Sequence, residues 1–260
     1  MARPDYEYQG LMAQAWDVLR GDTSTWADRF FYRDAIARYG QPVLDVGCGT
    51  GRLLLDYLAQ GIDVDGVDNS PEMLALCRAK AQARGLAPQL YEQALETLAL
   101  PRTYRTIIIP SSTLQLIVEP ALVEEALRRV GRHLAPGGAV LASFMALRQP
   151  GDPLEIAWEQ AAVRPEDGAT IRRLGRSRYD PLLELEHTED QYQVIIDGQV
   201  VATELHRRSP ATRAYTQAQA RGLFERAGLV EVALYSGFSS EPVKPADTLF
   251  TVVGRRAARR

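Results

Sequence analysis

The sequence predicts a doubly wound α/β fold with N-terminal helices and an antiparallel β insertion. Three observations predict it. Apolar runs alternate with helical stretches from Pro42 to Leu147, a rhythm that gives a parallel sheet with helices on both faces. Residues Val43 to Gly51 read V-L-D-V-G-C-G-T-G, a buried strand ending in a turn too tight for side chains. After Leu147 the alternation stops, and short alternating strands with hairpin signals take over.

The first forty residues read as two helices. Leu11, Ala15, Val18 and Leu19 form one apolar face; Trp26, Phe30, Phe31, Ile36 and Tyr39 form another. Gly21 to Ser24 separates them, with an N-cap among Asp22 to Thr25. Strands are expected near 42–46, 62–67, 88–93, 105–110 and 137–145, and helices near 51–60, 71–84 and 121–134. Ser70-Pro71-Glu72 is a cap followed by proline at the first helical position. Gln149 to Pro153 is a breaker cluster, and a short helix carrying Trp158 is expected over Leu154 to Val163. Antiparallel strands should follow from about Ala169 to Tyr215. One runs through Leu182, Leu183 and Leu185 and the next through Tyr192, Val194 and Ile196; Asp197-Gly198 turns the chain, and Val200 to Leu205 returns. Thr216 to Gln219 is a capping box for a helix to about Ala227, with strands from Leu229 and from Thr248 to Val253. The chain thus divides into a helical cap (1–40), a core (41–148 and 209–260) and an antiparallel insertion (149–208).

Composition narrows the function classes. A hydrophobic content of 46% and an aromatic content of 8% in 260 residues suit a soluble globular protein with a sizeable core. The net charge of −3 provides no electrostatic footprint for nucleic acid, and the basic run Arg255 to Arg260 reads as a solvated chain end. The only cysteines, Cys48 and Cys77, fall in the glycine turn and in an expected helix. A disulfide is not expected there, and a reducing, cytoplasmic setting is. Two cysteines and three scattered histidines offer no metal-ligand spacing. No apolar run is long enough to span a membrane, and Met1 to Gly10 lacks a signal-peptide core.

The glycine turn carries the chemistry. Gly47, Gly49 and Gly51 let the backbone approach a ligand closely, and Asp68 ends the next apolar run, about twenty residues on. An acid at that place suits the two hydroxyls of a ribose, so a nucleoside cofactor is implied. The spacing is G-x-G-x-G, and Asp45 sits two residues before the first glycine. A carboxylate there would oppose a pyrophosphate, whereas a cofactor carrying an ammonium and a sulfonium would welcome it.

On these residues the chain resembles the class I S-adenosylmethionine-dependent methyltransferases. V-L-D-V-G-C-G-T-G matches their first motif, and G-V-D-N-S-P-E-M-L, from Gly66 to Leu74, matches their second. The resemblance covers 42–147 strongly and 216–254 more loosely. It implies a seven-stranded sheet in the order 3-2-1-4-5-7-6 with the last strand antiparallel, and S-adenosylmethionine as cofactor. It assigns Asp45 to the methionine ammonium, and Gly47, Gly49 and Gly51 to backbone contact with the methionine and ribose, with Cys48 inside the same turn. Asp68 would hold the ribose hydroxyls, and Asn69 and Met73 would flank the adenine. The insertion lies where many small-molecule members carry a substrate lid.

The third motif departs from the family pattern. In Leu90 to Glu96, Ala94 stands where many relatives place an acid for the adenine amine. Gln93 or Glu96 are substitutes, and Leu95 would pack on the ring. Ile107 to Ile109 leads into Pro110-Ser111-Ser112, whose Ser111 should lie beside the cofactor. Amino-methylating nucleic-acid enzymes of this class place a Pro-Pro-aromatic run at that point. Here proline precedes Ser111 and no aromatic follows, so that reading fails. His133, at a helix C-terminus, reads as structural.

Methyl transfer is an in-line displacement in which the protein orients and desolvates the acceptor. Tyr8, Trp16 and Tyr32 are candidates to close over the cofactor. Ser112, Gln115, Phe144, Arg148, Trp158, Arg178, Tyr179 and His187 are candidates for the acceptor site. An aromatic lining suits an amine or an aromatic ring. His187 and His206 are ordinary strand-face residues on this reading. The expected function is transfer of a methyl group to a nitrogen or oxygen of a small molecule. One competitor is a protein or RNA methyltransferase using Arg172, Arg173, Arg176 and Arg178; another is an S-adenosylmethionine-binding protein without turnover. Exposed strands in the insertion leave room for a homodimer.

Overall fold

The computed structural model describes residues 8–258. Two helices come first, α1 (Gly10–Arg20) and α2 (Ala27–Tyr39). The alternating half follows as β1 (Val43–Val46), α3 (Leu54–Ala59), β2 (Val64–Asp68), α4 (Pro71–Ala83), β3 (Gln89–Glu92), β4 (Tyr104–Ile109), α5 (Pro120–His133) and β5 (Leu134–Met145). Then come four long strands, β6 (Glu155–Val163), β7 (Thr170–Asp180), β8 (Leu185–Ile196) and β9 (Gln199–Arg213). The chain ends with α6 (Gln217–Arg226), β10 (Val230–Ser236) and β11 (Leu249–Arg255).

The main sheet has seven strands in the order β3-β2-β1-β4-β5-β11-β10. β1 to β5 run parallel, and β11 is antiparallel to both neighbours. This is the expected topology, with four strands inserted before the last helix. Alternate residues of each strand face opposite sides. Leu44, Val46, Ile107, Ile109, Val140 and Phe144 pack under α5 and α6, against Val123, Leu127, Leu223 and Phe224. Val43, Ile108, Leu141 and Val253 pack under α2, α3 and α4, against Ile36, Leu54, Leu74 and Cys77. Asp45 shares the face of Val43, so the first strand's acid points into this second layer.

The inserted strands form a separate antiparallel sheet in the order β6-β7-β8-β9. α1 lies between the two sheets. Met12 and Ala15 pack on Ile171, Tyr192 and Val194 of the small sheet. On the opposite side Asp17 accepts from Thr50 Oγ1 at 2.7 Å and pairs with Lys80 at 2.5 Å. The helix N-terminus is held by two carboxylates, Glu72 accepting from the Gly10 N–H at 2.5 Å and Glu204 from the Leu11 N–H at 2.6 Å. Negative charge at the positive end of a helix is favourable.

Three local expectations need correction. Leu154 to Val163 is not a helix but the strand β6, paired with β7 along its whole length. Its Leu, Glu, Ala and Gln residues favour helix in isolation, and pairing with β7 overrides that preference. Leu182 and Leu183 are not strand residues but the exposed tip of the β7–β8 turn, Leu182 being 92% exposed. The helix expected from 51 starts at Leu54, because Gly51 to Leu53 still belong to the turn. The capping box on α6 is present, Thr216 and Gln219 bonding each other's backbone N–H groups. His133 is structural. Its Nε2 accepts from the Leu100 N–H at 2.8 Å and its Nδ1 faces the Arg129 carbonyl at 2.8 Å.

Candidate active site

The ends of β1, β2 and β4 lie level, because Asp45 pairs with Gly66 on one side and Ile108 on the other. A cleft of about 280 Å³ opens over these carboxyl ends, the place where ligands bind in open α/β sheets. Its floor is the glycine turn. The N–H groups of Gly47 and Cys48 fold back onto the Val67 carbonyl, at 2.8 and 3.1 Å. Gly47 has φ +66°, and a Cβ there would lie 2.7 Å from Thr113 Oγ1. Gly49 donates its N–H to Asp68 Oδ2 at 2.8 Å, so the ribose candidate also ties the turn to β2.

Gly51 differs from its two companions. It does not line the cleft; a Cβ there would lie 2.6 Å from Cys77 Sγ and 2.8 Å from Leu55. Its smallness lets α4 pack against the turn, so direct cofactor contact is not its place.

The charged groups fall in a definite pattern. Asp45 is 1% exposed, and its Oδ1 is buried without a hydrogen-bond partner. Burial pushes its carboxyl up to about 7; the nearby Arg52 guanidinium pulls the other way, and the Asp68 carboxylate adds to the rise. Arg52 is spoken for by the buried Asp28, with Nη1 to Oδ1 at 3.1 Å and a second contact beside it. Arg20, the last residue of α1, also lines the cleft. Asp68 is raised by burial, opposed by backbone hydrogen bonds from Ser70, Gly49 and Asn69.

An orphaned carboxylate oxygen on a residue that lines a cleft calls for a cation, since an unpaired buried charge is costly. The tight glycine floor and the acid at the end of β2 complete a cradle for a nucleoside carrying an ammonium. The residues present fit S-adenosylmethionine.

Beyond Asp68 the wall continues with Asn69, Met73, Gln93, Ala94, Leu95 and Glu96. The Gln93 side chain closes its own loop, donating to the Ala99 carbonyl at 3.2 Å and accepting from the Ala99 N–H at 2.8 Å. Glu96 is therefore the acid this wall offers, and the buried side chains of Leu95 and Met73 supply apolar contact. The other wall is the loop after β4, with Pro110, Ser111 and Thr113, then Leu116 to Glu119 and Leu122. Ser111 and Ser112 both take positive φ, 55° and 58°. Tyr8 and Trp16, ring centroids 4.6 Å apart and edge to face, form the roof with Arg208 of β9.

Of the acceptor candidates, Tyr8 and Trp16 line the cleft and the others do not. Tyr32 is buried behind the sheet against Phe31 and Phe238. Phe144 is core, stacked on Phe250 at 5.5 Å. Ser112 turns away, its N–H reaching Ser143 Oγ at 3.3 Å. Gln115 is a buried strut between the carbonyls of Met145 and Arg213. Arg148 is held by Pro153, Ser177 and Glu186. Trp158 lies over Gly175 with Arg173 at 5.3 Å. Arg178 and Tyr179 sit on β7 away from the cleft, and His187 is hydrogen-bonded to Ser209 at 2.7 Å.

Residues outside the motif reading also line the cleft, among them Arg20, Arg52, Leu53, Thr113, Leu116 to Glu119, Leu122 and Arg208. Two carried a signal in the sequence. Arg52 directly follows the glycine turn, and Arg208 lies on the same strand face as Glu204 and His206 by period-two alternation.

Known proteins share these features. Residues 43–138 match the family model for a methyltransferase domain. Over 234 residues the chain is 25% identical to the dTDP-3-amino-3,6-dideoxy-α-D-glucopyranose N,N-dimethyltransferase of Streptomyces fradiae, covering 88% of this chain and 87% of that one. Against other curated relatives, such as a Geobacillus methyltransferase and a Sodalis glossinidius ubiquinone O-methyltransferase, the match spans about half of their length. In fold the chain is similar to an S-adenosylmethionine-dependent methyltransferase from Clostridium acetobutylicum, with TM-score 0.74, 17% identity, and 94% and 97% of the two chains covered. It is also similar to a sugar N-methyltransferase from Streptoalloteichus, with TM-score 0.72, 20% identity, and 99% of each chain covered. With its two motifs, its strand order and the match over residues 43–138, the chain contains a methyltransferase domain, on a fold similar to that of solved S-adenosylmethionine-dependent methyltransferases.

Proposed function

We propose that the protein transfers the methyl group of S-adenosylmethionine to an amine nitrogen of a small molecule. The observation that carries the reading is Asp45, a residue of the cleft lining beside the glycine turn whose buried Oδ1 has no hydrogen-bond partner. When bound, the cofactor supplies a methyl group already activated by its sulfonium. Asp45 would hold the ammonium, Asp68 the ribose hydroxyls, and Asn69, Met73, Leu95 and Glu96 the adenine. Ser111 and the loop behind it would border the acceptor, under a roof of Tyr8, Trp16 and Arg208.

Nitrogen is favoured over oxygen by what the cleft wall contains. All three histidines lie elsewhere, at the end of α5 and on β8 and β9. A neutral amine brings its own lone pair and leaves the protein only the tasks of orienting it and excluding water, whereas an aliphatic hydroxyl needs a base. The aromatic roof suits a cationic or polar amine. The Streptomyces fradiae amino-sugar N,N-dimethyltransferase and the Streptoalloteichus sugar N-methyltransferase point the same way.

A nucleic-acid substrate is disfavoured. Arg172, Arg173 and Arg176 are paired with Glu159, Asp190 and Glu189, so three of the four arginines of the cluster are already neutralised. Arg255 and Arg256 of the basic tail are bonded to Glu231 and to the carbonyls of Gly137, Arg132 and Leu134. In the same reading the small sheet and α1 act as the lid over the acceptor. Buried free Cys48 and Cys77 suit a cytoplasmic setting, and among the described residues no helix is long and apolar enough to cross a membrane.

The test is release of S-adenosylhomocysteine when the protein and S-adenosylmethionine are mixed with dTDP-3-amino-3,6-dideoxyglucose and a panel of primary amines and matching alcohols. Turnover on amines and none on alcohols supports the reading. Turnover confined to alcohols overturns the choice of nitrogen, and none on either class leaves a binding protein.

A further inference from the structure

Behind the roof lies a second cavity, of about 200 Å³, between α1 and the small sheet. Three rings line it, Trp16 of α1, Trp26 at the start of α2 and Tyr192 of β8, together with Arg20 and Arg173. Of its lining only Trp16 and Arg20 also line the cleft. Each guanidinium lies against two rings. Arg20 is 4.0 Å from the centroid of Trp16 and 5.5 Å from that of Trp26; Arg173 is 5.3 Å from Trp158 and 5.7 Å from Tyr192. Arg173 is also anchored through Nε, which donates to the buried Asp190 at 2.7 Å. Among the described residues its two terminal nitrogens make no hydrogen bond.

Charge and size together define an occupant. Stacking on a ring fixes the direction of a guanidinium and leaves its N–H edge open, the geometry that grips a carboxylate. Asp190 is the one carboxylate that pairs with either cation; the acids near Arg20, Asp17 and Asp28, are paired with Lys80 and Arg52. One positive charge is therefore left over. Burial and the like charge of Arg52 weaken the hold of Arg20 on its proton, an effect that an anion relieves. Sites for drug-sized ligands start near about 300 Å³, so this smaller cavity suits a single ring rather than a nucleotide. The side chains of Met12 and Leu19 add apolar wall for that ring. Gln160 donates to the Leu19 carbonyl at 2.5 Å, which ties the end of α1 to β6 and keeps the cavity's two sides together.

We infer that the cavity between α1 and the small sheet is a second binding site, separate from the cleft, for a single-ring aromatic carboxylate. The ring lies among Trp16, Trp26 and Tyr192, and the carboxylate takes the open N–H edges of Arg20 and Arg173. The site stands on its own residues and does not depend on what occupies the cleft.

Calorimetry with three probes tests it on the whole chain, alone and with S-adenosylhomocysteine added. The probes are benzoate, its uncharged counterpart benzamide, and acetate, which keeps the charge and lacks the ring. Benzoate should bind under both conditions, at least about tenfold more tightly than either of the others, the weight of one charge-assisted contact. Arg173→Lys keeps a cation for Asp190, and its fold is checked by circular dichroism. This variant and Arg20→Gln should each remove most of the preference for benzoate over benzamide. Trp26→Ala, at an exposed helix start, should weaken benzoate and benzamide together. Arg173 and Trp26 line this cavity and not the cleft, so their effects locate the probe whether or not S-adenosylhomocysteine binds. Three results would each overturn the proposal: benzoate bound no better than benzamide, a preference kept in both arginine variants, or full competition between benzoate and S-adenosylhomocysteine.

Discussion

Asp68 accepts a 2.8 Å hydrogen bond from the Gly49 N–H, so the acid that ends the second strand also anchors the glycine turn. Its other oxygen accepts from Ser70 at 2.9 Å, at the start of α4. One carboxylate thus organises the floor of the cleft before any ligand arrives. Asp68→Ala should weaken S-adenosylhomocysteine by about 1.5–3 kcal/mol, the range for hydrogen bonds to a charged group. Calorimetry on the folded variant measures this, and unchanged affinity would remove Asp68 from the ribose.

Gly47 and Thr113 are fitted to each other. Thr113 donates to the Pro110 carbonyl at 2.7 Å, which sets its methyl and hydroxyl against the glycine. Gly47→Ala meets both a positive φ and this contact, and should cost about 1–3 kcal/mol in denaturant unfolding. Adding Thr113→Ala should return part of the loss and no more, because the backbone strain remains. Full recovery would mean that the turn is unstrained, and no recovery that the two side chains do not compete.

The Asp45 carboxyl makes stability depend on pH. Its pKa rises from an ordinary 3.8 to about 7 on folding, chiefly by burial. The folded state therefore holds a proton that the unfolded chain releases. Stability is full below about pH 4 and is lost as pH rises towards 7, on the order of 4 kcal/mol for this group. Asp45→Asn removes the dependence, so its free energy of unfolding relative to wild type should grow between pH 4.5 and 8. A difference flat with pH would show that Asp45 is not a strained buried acid.

How much of this could be read in the chain follows from where each residue gets its position. Asp45, Gly47, Gly49 and Asp68 lie at strand ends within two short motifs, so local pattern placed them together. Gly51 shared the motif but serves packing against Cys77, a contact from α4 that the spacing does not reveal. The strand order was legible because β-α alternation leaves few topologies. β6 carries a helix-favouring sequence and becomes a strand through its pairing with β7, a tertiary contact that local pattern does not encode. Most of the wall beyond the glycine turn is not legible in local pattern. Arg20 and Arg208 arrive on separate elements, and Phe144 and Tyr32, large aromatics near the site in sequence terms, are core because their strand and helix faces turn inward.

The junction of α1 with both sheets gives a further test. A Cβ on Gly10, at φ +52°, would overlap the Glu204 carboxylate that holds the helix N-terminus. Glu204→Gln keeps an acceptor but loses the charge facing the helix dipole, and should cost about 0.3–1 kcal/mol. Gly10→Ala should cost more and raise amide exchange across Gly10 to Arg20, measured by hydrogen–deuterium exchange. Exchange rates like those of wild type would mean that α1 is held by its apolar face alone.

The cofactor assignment is the centre of the account, and Asp45 tests it most directly. Calorimetry at pH 8 compares S-adenosylhomocysteine binding to the wild type and to Asp45→Asn, both shown to be folded. The account predicts measurable binding to the wild type and at least about tenfold weaker binding to the variant, although the variant is the more stable protein. Equal affinity in the two proteins, or no binding to the wild type, would contradict it.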